Sequence, residues 1–104
     1  MNTFVTNLFP NPMPGETDEQ LTVDATAGGV QFASTYNIRT KFVTFDVQDA
    51  SCRVTFDGSA PTSTNGHILY VGQSYTWSIA SARVAKFIRT GATSSVLHAT
   101  QMTY

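Results

Sequence analysis

At 104 residues, with 41% hydrophobic and 12% aromatic side chains, the chain is one domain able to bury roughly 65% of its unfolded surface. A net charge of −1 argues against nucleic acid as a partner, one cysteine excludes an internal disulfide, and no apolar run approaches the roughly 20 residues that span a bilayer. Charged residues reach only 12%, about half the usual share, so either other subunits cover part of the surface or it is a neutral, Thr-rich β surface.

Residues 1–19 contain Pro10, Pro12 and Pro14, which favour an extended path and forbid a helix. Phe4, Leu8, Phe9 and Met13 make this stretch too apolar for a linker left in water, so it is expected to be an arm that docks through them on its own domain or a neighbour's. It lacks the basic region and continuous apolar run of a signal peptide, and the protein is expected to be made in a cytoplasm and to stay soluble. Residues 20–104 are the expected folded domain. Gln20–Asp24 alternates as a short strand, with Val30–Ser34 as its hairpin partner across a small-residue turn. Lys41–Val47 puts Val43, Phe45 and Val47 on one inward face.

Cys52–Val71 is the most informative stretch. Cys52, Val54 and Phe56 alternate with Arg53, Thr55 and Asp57, which predicts a strand with an apolar inner row. Cys52 is therefore expected to be a buried, unreactive thiol. Asp57-Gly58 breaks the strand, Pro61 blocks ladder pairing, and Asn65-Gly66 makes a second turn before Ile68–Val71. Tyr75, Trp77 and Ile79 form the inner row of the next strand, and Ala80–Ala85 has room for one helical turn. Lys86–Thr90 and Ser94–Thr103 complete seven or eight strands at intervals of roughly ten residues. This pattern predicts an all-β fold: a small antiparallel β-sandwich or jelly-roll-like barrel with an extended Pro-rich N-terminal arm.

Charge is unevenly placed. Residues 1–38 carry Glu16, Asp18, Glu19 and Asp24 with no base, whereas residues 39–104 carry six bases against Asp46, Asp49 and Asp57. Arg83, Lys86 and Arg89 make a candidate basic face for a partner or for the acidic arm.

Motifs for chemistry are sparse. His67 and His98 have no second ligand at a metal-binding spacing, and Asp57, Ser59 and His67 have triad residue types without a nucleophile-presenting turn. Asp57, Gly58, Pro61, Asn65 and Gly66 are read as structural turn residues. Tyr70, Tyr75, Trp77 and Tyr104 could form a sugar-stacking platform, although an inward Trp77 belongs more naturally to a core. Neither an enzyme nor a cofactor is expected.

The run Arg53–Leu69 (RVTFDGSAPTSTNGHIL), Gly72 and Lys86–Thr100 (KFIRTGATSSVLHAT) resembles a class of small proteins encoded by tailed bacteriophages. The first motif alone also resembles an element of immunoglobulin-like modules on carbohydrate-active enzymes. The phage resemblance implies a structural virion component, a capsid decoration (cement) protein that binds the major capsid protein as a homotrimer; from charge and hydropathy, neither a nucleic-acid nor a membrane partner is expected. The alternative is a carbohydrate-binding or adhesion module.

Overall fold

The computed structural model describes residues 17–33, 36 and 40–102. The anticipated arm anchors Phe4, Leu8, Phe9 and Met13 lie outside the described residues, as does Tyr104. Strand β1 is Thr17–Val23, so residues 17–19, placed with the arm on sequence grounds, enter the sheet. Then come β2 (Phe42–Gln48), β3 (Cys52–Thr55), β4 (His67–Leu69), β5 (Ser74–Ser78), the single-turn helix α1 (Ile79–Val84), β6 (Lys86–Arg89) and β7 (Ser95–Met102). The fold is all-β apart from α1, which Ser78 caps by accepting a hydrogen bond from the Ser81 amide at 3.3 Å.

Alternation sets the faces. Val43, Phe45 and Val47 of β2 are buried, as are Cys52 and Val54 of β3. The inner row of β7 is Ser95, Leu97, Ala99 and Gln101, all buried. Gln101 is accommodated there by its carbonyl oxygen, which accepts the Thr40 hydroxyl at 2.7 Å.

Two sheets result, in the orders β1-β7-β2-β5 and β4-β3-β6, with every neighbour antiparallel. The pairs nest. β1 lies against β7, β2 against β5 and β3 against β4. Val30 supplies the missing level by bridging to Phe87 of β6, with reciprocal N–H···O bonds of 2.8 Å. The expected hairpin of Val30–Ser34 on Gln20–Asp24 therefore does not form. Gly28 and Gly29, at φ of 91° and 85°, turn the chain from one sheet to the other. Gly29 also leaves no space for a side chain, since a Cβ there would stand 3.0 Å from Pro61 Cγ and 3.1 Å from the Phe87 carbonyl oxygen.

The sheets share one core, and its centre is aromatic. Phe45 of the first sheet and Phe87 of the second meet edge to face at 6.2 Å, with Phe32 edge-on to both at 5.6 and 5.2 Å. Trp77 packs edge-on to Phe45 at 4.8 Å and parallel to Phe87 at 6.0 Å, so it belongs to the core. Phe56 departs from the expected inner row. It lies beyond the end of β3, touches Trp77 at 4.9 Å and remains 36% exposed.

Cys52 is fully buried, and burial pushes its thiol up to about 11 from an ordinary 9.0, with the Ser95 hydroxyl pulling partly back. That hydroxyl is itself buried and has no hydrogen-bond partner among the described residues.

Two outcomes follow from this packing. Phe87→Ala should cost about 3–5 kcal/mol in denaturant melts, and Phe56→Ala less than half as much because its ring is already partly in water. Equal losses would contradict the burial. The Cys52 shift adds a pH effect. A thiol raised on folding contributes stability that is complete below pH 9.0 and is lost as pH rises through about 11. Wild type should thus lose about 3 kcal/mol more than Cys52→Ala across that interval, and parallel pH profiles would contradict it.

Candidate functional site

The loop from Phe56 to Gly66, between β3 and β4, concentrates the polar residues that the sequence singled out. Its first turn is local. Asp57 Oδ1 accepts the Ser59 amide at 3.0 Å and the Ser59 hydroxyl at 2.6 Å, and these bonds hold its carboxyl below the usual range. Gly58 takes the left-handed conformation at φ 86° that this turn requires. Further on, Thr62 and Asn65 close a tight turn with reciprocal amide–carbonyl bonds of 3.0 and 3.3 Å. Gly66, at φ 129°, passes so close to β3 that a Cβ would stand 3.0 Å from the Val54 carbonyl oxygen.

Strand side chains then pin the loop. Arg53 donates from Nε to the Ser63 carbonyl at 3.0 Å and from Nη1 to the Gly66 carbonyl at 2.8 Å. Thr55 donates its hydroxyl to the Ser59 carbonyl at 2.7 Å, and Lys86 Nζ donates to the Gly58 carbonyl at 3.1 Å. Pro61 is fully buried against Gly29 and anchors the middle. Proline suits this place because its ring fills space and the residue has no amide hydrogen to satisfy.

Between the turns lies a shallow cavity of about 430 Å³ lined by Phe56, Asp57, Ser59, Asn65 and His67. Asp57, Ser59 and His67 do meet there, but not as a relay. The Ser59 hydroxyl donates to Asp57, and the His67 ring lies 6.1 Å from Phe56. A nucleophilic relay needs the serine proton directed to the imidazole. Among the described residues, no three His, Cys, Asp or Glu side chains gather as metal ligands.

The basic residues divide. Arg83 and Lys86 border one hollow with Phe56 and Gly58, and the Arg83 guanidinium lies 5.4 Å from the Tyr36 ring centroid. Arg89, three residues beyond Lys86 on β6, has the opposite strand parity. It borders a separate hollow beside Gly28 and Pro61, and its Nη1 reaches Ser94 Oγ at 3.5 Å.

The aromatic residues divide as well. Trp77 is in the core and Tyr75 stacks on Phe45 at 5.5 Å, leaving Tyr70 exposed. Sequence reasoning missed the Arg53 clamp and the contact of the Glu19 carboxylate with the Ala33 amide at 2.9 Å. The clamp's only sequence signal was a base on the polar face of a strand entering a long loop.

Comparison with protein-family models, with curated proteins and with solved structures finds no match to this chain.

Arg53→Ala should cost about 1–3 kcal/mol in denaturant melts, since it leaves two loop carbonyls without a charged donor. Arg53→Lys should recover only part of this, because one ammonium lacks the fork that reaches both oxygens. A loss below about 0.5 kcal/mol would mark the clamp as an ordinary surface contact.

Proposed function

We propose that this chain is a non-enzymatic structural protein of a tailed-phage virion, a decoration (cement) protein that binds the major capsid protein as a homo-oligomer, most simply a trimer. The observation that carries the reading is the nested strand pairing. β1 with β7, Val30 with β6, β2 with β5 and β3 with β4 form one long hairpin rolled into two sheets. This supports a jelly roll with its second strand reduced to a single bridge, an architecture frequent in viral capsid and lectin domains. The resemblance of Arg53–Leu69 and Lys86–Thr100 to small tailed-phage proteins favours the virion over other hosts of such a fold.

The chain's physical properties suit a bridging role. A protein that stabilises a shell needs a rigid body and contact surfaces rather than a reacting centre. Here Arg53, Thr55 and Lys86 are spent on loop carbonyls, and Asp57 on its own turn. The Pro-rich N-terminal stretch ahead of β1, with Phe4, Leu8, Phe9 and Met13, would supply further anchors for a neighbouring subunit.

A carbohydrate-binding role is the second reading. It is favoured by the exposed Phe56 ring beside His67 and Asn65 in the loop cavity, since sugars stack on aromatic rings and bond to neighbouring polar groups.

Co-sedimentation with undecorated cognate capsids tests the proposal. The full chain should bind saturably, and a chain lacking residues 1–15 should keep its β-sheet circular dichroism but reach lower occupancy. Full-chain protein that stays in the supernatant would overturn the decoration role. Selective binding on a glycan array in its place would favour the second reading.

A further inference from the structure

The two sheets end on a common flank. Tyr70 and Gln73 close a tight turn, with the Gln73 amide donating to the Tyr70 carbonyl at 3.2 Å, and this turn carries the chain from β4 directly to β5. The Tyr75 hydroxyl accepts the Tyr70 amide at 3.1 Å and ties the turn to β5. β4 is the outer strand of one sheet and β5 that of the other, so two open edges lie side by side. The β2–β5 ladder uses the backbone groups of Tyr75 and Trp77, so those of Ser74 and Thr76 face away from β2, where no further strand lies among the described residues.

Open edges normally carry charges, proline or a cover, which discourage pairing with other chains. Among the described residues, this flank has none of them. Residues 62–82 contain no Asp, Glu, Lys, Arg or Pro. Ile68, Tyr70 and Val71 stand out from it at 36%, 59% and 48% exposure. The nearest charges are already engaged. Arg53, opposite Ile68, holds the loop carbonyls, and Asp46, opposite Ser74, accepts the Ser74 hydroxyl at 2.6 Å. The far edge differs, because β1 carries Asp18 and Glu19, with Glu19 receiving the Ala33 amide.

We infer that the β4–β5 flank is the surface on which copies of this chain meet, around the symmetry axis of the homo-oligomer. Near a rotation axis each residue faces its own symmetry mates, so any charge there repels itself. A surface without charge and with three exposed apolar side chains suits that position, whereas a surface for a charged partner would present complementary groups. The inference rests on the homo-oligomeric part of the proposed function, not on capsid binding.

The test is analytical ultracentrifugation of the full chain at tens of micromolar, with Ile68→Lys, Tyr70→Lys and Gln20→Lys as variants. Gln20 is exposed on β1, away from the flank. Wild type and Gln20→Lys should be oligomers. Ile68→Lys and Tyr70→Lys should dissociate, with dissociation constants raised at least about tenfold and circular dichroism unchanged. An oligomer that survives both flank charges would place the interface elsewhere and overturn the inference, leaving the oligomeric reading intact. A monomeric wild type would overturn the inference as well. Capsid co-sedimentation of the same proteins separates the two proposals. A monomer that binds capsids, and loses binding with either flank charge, would make the flank the capsid-facing surface.

Discussion

Contact between Phe45 and Phe87 across the two sheets is the constraint on which the rest of the structure depends. Each ring is fully buried, and Phe32 and Trp77 pack on both. Four large rings bury much apolar area for a short chain, and their edge-to-face contacts, with Trp77 stacked parallel on Phe87, add orientation that aliphatic packing lacks. The same Phe87 exchanges backbone bonds with Val30. One residue therefore joins the aromatic centre to the strand level that the first long connection provides. Gly29 and the buried Pro61 close against this junction, so the β3–β4 loop is seated on the core.

From that seat the loop's polar chemistry becomes structural. Cations that would otherwise be left to solvent are engaged by loop carbonyl oxygens, and the Asp57 carboxylate is satisfied by Ser59. A loop held this way has a fixed shape at little cost in later ordering, which is what a recognition surface requires. The flank of β4 and β5 is the converse. It is regular in backbone and carries no charge of its own, so its selectivity would come from shape and apolar area. Rigid loop at one place and bare edges at another are both consistent with a protein that works by contact.

Alternation made most of the strands legible. Val43, Phe45 and Val47, and Cys52 and Val54, announce their inner faces because every second residue is apolar. β7 was harder, since its inner row includes the polar Ser95 and Gln101, and Gln101 is satisfied there only by Thr40 from a distant part of the chain. The partner of Val30 could not be read locally either. A glycine pair says that the chain turns, but not into which sheet. Phe56 continued the period of its strand and yet sits at the open end, because β3 stops at Thr55. For the candidate site, the turns at Asp57-Gly58 and Asn65-Gly66 were visible from residue type. The Arg53 clamp and the separation of Arg89 from Arg83 and Lys86 were not, since both depend on tertiary placement.

Residue-resolved amide hydrogen exchange tests the rolled-hairpin arrangement most directly. If Val30 is the remnant strand paired with β6, its amide and that of Phe87 should exchange together and slowly, at rates near those of Phe45 in the β2–β5 ladder. Gly28, two residues away in the connecting turn, should exchange rapidly. A Val30 amide that exchanges as fast as Gly28 while Phe87 stays protected would contradict the nested pairing and, with it, the jelly-roll reading.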